Sequence, residues 1–227
     1  MTTSSTHHVI IAGASGLVGS CALHQLLATP AIDGVYALTR KPLASHEKLT
    51  AICDSELGIK QWDEQHIAPN YGVIALGTTR KQAGSQAGLE AVDYHLVCQV
   101  AQTMKTIGVK RLAVVSSYGA HPRSRSHYLR CKGKMEEAIR QMGFEHVTFV
   151  RPGPLVGERQ VVRPDEIWLQ RVMKIGQYLL WGTLKNLIPI RAEAVAQALL
   201  YNVFDRRAPA VSVLHTTDMQ RLLKNYH

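Results

Sequence analysis

No run of eighteen apolar residues occurs in this chain, so no segment has the length and hydropathy of a helix that crosses a bilayer. The opening MTTSSTHH is polar and lacks the charged and apolar regions of a secretory signal. The four cysteines, Cys21, Cys53, Cys98 and Cys131, are scattered and form no CxxC pair. That excludes a dense disulfide framework, argues against zinc or any other metal, and makes a reducing, cytoplasmic location the expectation. Repeats, low-complexity tracts, zinc fingers and other specific nucleic-acid motifs are missing as well. Acidic residues are in short supply, 17 Asp and Glu against 26 Lys and Arg, for a formal charge of +9. Such a surplus suits polyanions in general. Without a recognition motif it points to a phosphorylated cofactor or an anionic small molecule rather than to nucleic acid.

What is present is organised around His7–Gly19, HHVIIAGASGLVG. Val9–Ala12 reads as a buried strand. Gly13, Ala14, Ser15, Gly16, Leu17, Val18 and Gly19 form a turn that enters a helix over Ala22–Leu27. Strand, glycine turn and helix in that order make a dinucleotide site. Gly13 serves the tight turn, Gly16 leaves room for a pyrophosphate, Gly19 permits close helix–strand packing, and the diphosphate rests on helix N–H groups. The spacing is GxxGxxG rather than GxGxxG.

Six further strands are expected at Val35–Thr39, Leu49–Cys53, Tyr71–Leu76, Leu112–Val115, Val147–Val150 and Val211–Leu214. Long helices are expected at Glu90–Ile107, with Val92, Leu96, Val100, Met104 and Ile107 on one side, at Tyr128–Met142, and at Arg191–Phe204. Residues 81–88 read as a polar, mobile loop, Pro164 starts a helix running to Tyr178, and Thr217 or Asp218 caps a terminal helix. The alternation predicts an α/β fold, a Rossmann-type doubly wound and mostly parallel sheet, in one domain over residues 1–227. Residues 154–190 are its candidate substrate-side region.

A carboxylate that accepts from the adenosine ribose usually ends the second strand of such a site. Here Arg40 and Lys41 follow Thr39. A guanidinium pairs with a 2′-phosphate, which favours NADP(H) over NAD. Asp54 either lies beside the adenine or caps the next turn. Gly77, with Thr78 and Thr79, follows the fourth strand where a ribose or nicotinamide could pass. Trp62 reads as packing.

Ser116 and Ser117 end the fifth strand, where α/β enzymes place their chemistry. Tyr128 and Lys132 share a helix face at i, i+4. Cys131 points elsewhere and reads as a buried thiol, while His121 and His127 lie near the same loop. Pro152 and Pro154 stop the sixth strand beside the cleft, around Gly153.

In this order GASGLVG, VVSS, YxxxK and RPG resemble the short-chain dehydrogenase/reductase superfamily. Gly77-Thr-Thr-Arg80, Lys132-Gly133 and Arg-Pro-Gly-Pro-Leu-Val-Gly-Glu-Arg159 resemble its atypical branch of Tat-interacting-protein-like oxidoreductases and epimerase/dehydratase-like proteins. The resemblance implies an NADP-dependent oxidoreductase for a small carbonyl or alcohol. Tyr128 would be the acid/base, Lys132 would lower its pKa and touch the nicotinamide ribose, and Ser116 or Ser117 would donate to the substrate oxygen. Asp93 stands where the superfamily often has Asn, which leaves open an idle NADP(H)-binding sensor that reports to a protein partner. Arg80, Arg123, Arg125, Arg130 and Arg159 form either an anionic-substrate surface or a solvated face. A monomer and a homodimer are equally allowed.

Overall fold

The computed structural model describes residues 7–59, 61–156 and 182–225. Within them seven parallel strands form one sheet: β1 His8–Ala12, β2 Gly34–Thr39, β3 Leu49–Cys53, β4 Tyr71–Ile74, β5 Arg111–Val115, β6 His146–Arg151 and β9 Val211–His215. Their order is β3-β2-β1-β4-β5-β6-β9. Beyond β6, β7 Leu155–Val156 pairs in parallel with β8 Ile190–Arg191. The central strands are unbroken apolar runs because both of their faces are covered. Val9, Ile10, Ile11 and Ala12 have no exposed surface, nor do Leu112, Ala113 and Val114.

One face carries α1 Leu17–Ala28, α6 Ala192–Phe204 and α7 Thr216–Lys224, with Leu26, Leu199 and Met219 in its core. The other carries a long helical stretch and α5 His127–Arg140, with Met104, Met135, Ile139 and Phe149. The chain order reverses between β1 and β4, so a crevice opens at the carboxyl ends of those strands, where this architecture takes its ligands.

Three expectations need correction. Much of 81–88 is helical: Arg80–Ala83 is a short α2, and Ser85 caps α3 Gln86–Glu90 by accepting from the Gly88 N–H at 2.9 Å. The helix thus begins before Glu90, and it passes through a π turn, Ala91–Leu96, into α4 Val97–Thr106. Its inward stripe is Leu89, Asp93, Val97, Val100 and Met104, all buried. A purely apolar pattern chooses Val92 and Leu96 because the true stripe contains a charge. Finally, His215 rather than Thr217 or Asp218 is the N-cap of α7. The Asp218 carboxylate accepts from the His215 N–H at 3.0 Å. Trp62 packs as expected, edge-on to Tyr36 at 4.9 Å. The Pro164–Tyr178 helix, Arg159 and most of the substrate-side region lie outside the described residues.

Candidate active site

The glycine turn is constrained on every side. Gly13 has φ +89°, and a Cβ there would stand 2.6 Å from the Ala75 carbonyl oxygen. A Cβ on Gly19 would stand 2.0 Å from the Gly13 oxygen, so helix and turn touch through backbone alone. Gly16 is the N-cap of α1 in an extended conformation, with no side-chain hydrogen bond at the cap. The first N–H groups of α1 are left to face a ligand, an arrangement that fits a diphosphate. Ala14 and Val18 are buried and hold the turn to the core, Leu17 is half-buried, and Ser15 is exposed.

Arg40 and Lys41 are exposed at the end of β2, beside the glycine turn. The Thr39 hydroxyl donates to the Lys41 carbonyl at 2.8 Å and fixes the backbone that carries both cations. Asp54 serves its own turn, where Oδ1 accepts from the N–H groups of Glu56 (2.9 Å) and Gly58 (2.8 Å). This is the turn-capping alternative. Thr79 lies against α2, its Oγ1 accepting from the Gln82 N–H at 3.3 Å.

The centre of the crevice is a buried ion pair. Lys132 Nζ lies 2.7 Å from Asp93 Oδ1, with side-chain exposures of 3% and 0%. Asp93 Oδ2 accepts from the Thr78 N–H at 3.1 Å, which ties the loop after β4 to the π turn. A Cβ on Gly77 would stand 3.3 Å from Asp93 Oδ1 and 3.6 Å from Lys132 Nζ, so the chain passes close over the pair. Burial alone would lower the Lys132 pKa. The nearby Tyr128 and Asp93 charges outweigh it and raise that pKa above the ordinary lysine value. Tyr128 is half-buried, one turn before Lys132 on α5.

The two serines part company. Ser116 Oγ donates to Glu136 Oε1 at 2.6 Å, and Glu136 is itself buried. Arg151 closes on the same carboxylate with two bonds, Nε to Oε1 at 2.8 Å and a terminal nitrogen to Oε2 at 2.6 Å. Ser116 is therefore held in a buried network that joins β5, α5 and β6. Among the described residues, the Ser117 hydroxyl makes only a long contact of 3.5 Å, to the Tyr118 carbonyl. Neither Glu136 nor Arg151 stands out in the sequence as a partner of Ser116. The one available signal is that Glu136 continues the i, i+4 series from Tyr128 and Lys132.

Pro152 is buried and its carbonyl accepts from the Tyr118 N–H at 2.9 Å. Gly153 is pinched, since a Cβ there would stand 2.4 Å from the Asn186 oxygen, while its N–H donates to Thr216 Oγ1 at 3.0 Å. Asn186 Oδ1 also accepts from the Thr217 N–H and hydroxyl, so the returning substrate-side segment is sewn to the RPG turn. Arg123 and Arg125 are exposed. Arg130 is engaged locally, donating to the Ser124 carbonyl at 2.8 Å.

The strand order and the glycine cradle define a Rossmann-type, mostly parallel α/β fold, the one that solved NAD-bound epimerase-like proteins share. Among solved structures, MoeE5 in complex with UDP-glucose and NAD superposes with a TM-score of 0.68 at 17% identity, over 96% of this chain and 80% of that one. The HIM1 family profile matches residues 71–182. The mitochondrial protein fmp52 of Emericella nidulans is 32% identical over 168 residues, 70% of this chain and 71% of the relative. FMP52 of Saccharomyces cerevisiae, also named mitochondrial, is 35% identical over 155 residues, 66% of each chain. The chain belongs to the FMP52 family. This overturns the cytoplasmic expectation, because these relatives are mitochondrial proteins. A cysteine count that fits any reducing compartment could not separate the two.

Proposed function

We propose that this protein is an NADP(H)-dependent oxidoreductase acting on a small, anionic carbonyl or alcohol. The observation that carries the reading is the buried Lys132 ammonium, held by Asp93 under the Gly77 turn and one helical turn from Tyr128. When bound, the nicotinamide supplies or accepts the hydride, and the protein orients and moves the proton. Tyr128 is assigned as the acid/base. The Lys132 charge favours its phenolate during turnover and reaches the nicotinamide ribose. Ser117 is assigned the hydrogen bond to the substrate oxygen, because the Ser116 hydroxyl is already given to Glu136. Gly13 to Gly19 hold the diphosphate, Arg40 and Lys41 the 2′-phosphate, and Gly77, Thr78, Pro152 and Gly153 border the nicotinamide end. Arg40 and Lys41 support NADP(H), although the solved relatives carry NAD.

The test is hydride transfer from NADPH across a panel of anionic aldehydes and ketones, with Tyr128→Phe as comparison. The reading expects turnover that falls by about 100-fold or more in the variant while cofactor affinity holds. Unchanged turnover would reject Tyr128 as the acid. A second reading follows from the Asp93 carboxylate, which neutralises the ammonium that the phenol needs. In that reading the protein binds NADP(H) without turnover and changes its affinity for a protein partner with cofactor redox state.

A further inference from the structure

Beside the crevice, α3 and α5 bring together three groups that the proposed reaction does not use. His127 and Cys131 are one turn apart on α5, and Glu90 faces them from the end of α3. One donor atom from each lies within 4.8 Å of the other two. His127 Nε2 is 3.5 Å from Cys131 Sγ and 3.7 Å from Glu90 Oε2. A fourth donor, the Gln86 carbonyl oxygen, is 3.2 Å from the same nitrogen. Tetrahedral bonds of about 2.0–2.3 Å to nitrogen, oxygen and sulfur set the ligands roughly 3.3–3.8 Å apart. The three spacings measured from His127 lie at or close to that range. Cys131 is buried while His127 and Glu90 are half-buried, so the cluster is reached from solvent through His127 and Glu90.

We propose that Glu90, His127 and Cys131 form a binding site for a divalent transition-metal ion. Gln86 or a water completes the tetrahedron. A thiolate, an imidazole and a carboxylate together favour Zn²⁺ over the hard cations Mg²⁺ and Ca²⁺. The ion would clamp the start of α5, which carries Tyr128 and Lys132, to the segment that leads into Asp93. The inference does not rest on the cofactor assignment.

Binding has a defined proton balance. The Cys131 thiol, whose pKa is raised by burial and by Glu90 and Asp93 against the opposing pull of Lys134 and Arg130, gives up one proton as the metal–sulfur bond forms. Arg130 donates to His127 Nδ1 at 3.1 Å, which places the imidazole proton on Nε2. Metal ligation moves that proton to Nδ1, so Arg130 must let go of the ring while keeping its bond to the Ser124 carbonyl. Binding therefore releases one proton, from the thiol. Freeing the ring with Arg130→Gln should tighten binding.

The probe is Co²⁺ alone, titrated into the reduced full chain and then displaced by Zn²⁺. One equivalent should give a thiolate-to-cobalt charge-transfer band and strong tetrahedral visible bands. Cys131→Ser should abolish the charge-transfer band. His127→Gln and Glu90→Gln should each weaken binding about 10-fold or more, and these hold the proposal to account should Cys131→Ser fail to fold. A featureless octahedral spectrum, or a charge-transfer band that survives in His127→Gln and Glu90→Gln at wild-type affinity, overturns the site. In that event the cluster is a hydrogen-bonded contact between two helices.

Discussion

Replacing Asp93 by Asn removes the only negative charge within ion-pair distance of Lys132 among the described residues and leaves an ammonium with 3% side-chain exposure. Breaking one side of a buried pair costs about 3–5 kcal/mol. A ceiling follows from the lysine itself. Starting from the ordinary value of 10.5, losing the proton at pH 7 costs about 3.5 pKa units, or about 4.8 kcal/mol. Beyond that penalty the amine simply becomes neutral. In the native protein the folded pKa is raised, so the Lys132 contribution is fully present at neutral pH and is lost only as pH climbs past 10.5. In Asp93→Asn the folded pKa falls below 10.5 and the sign reverses, so the deficit shrinks as pH rises. With a fully neutral folded lysine it would be about 1.4 kcal/mol at a pH of about 9.5. Urea unfolding at both pH values reads the difference. A loss below about 1 kcal/mol at both, or one that does not change with pH, would refute the reasoning.

Three more outcomes are expected. Arg40→Asp should weaken NADPH binding by about 10–100-fold and leave NADH nearly unaffected, because a carboxylate repels the 2′-phosphate; parallel calorimetric titrations measure it. Ser117→Ala should cut turnover by about 10²–10³-fold with an unchanged unfolding midpoint, as expected for a lost donor to a developing oxyanion. Ser116→Ala should instead cost about 1–3 kcal/mol of stability, since Glu136 loses a short bond while Arg151 keeps its grip. Equal effects of the two serine changes on turnover would contradict their division of labour.

The central strands were readable from sequence because parallel strands covered on both faces are apolar runs. Leu49–Cys53 falls where the pattern puts it, and the other strands differ only at their ends. The glycine turn was readable for a related reason, since only backbone fits between Gly13, Gly19 and Ala75. Asp93 was legible as a departure from a familiar pattern but not as the buried partner of Lys132. Charge breaks the apolar stripe by which a helix announces its inner face. Ser116 looked interchangeable with Ser117 because what separates them is Glu136 and Arg151, 20 and 35 residues further along the chain. The Glu90–His127–Cys131 cluster is invisible to any scan for local ligand spacing, since one of its members comes from another helix.

The central claim is that the glycine turn and the two cations after β2 hold a phosphorylated dinucleotide. Calorimetric titration of the purified full chain with NADPH, and separately with NADH, tests it most directly. One site per chain, filled by NADPH at lower concentration than by NADH, is the predicted result. No heat of binding from either cofactor would contradict the account.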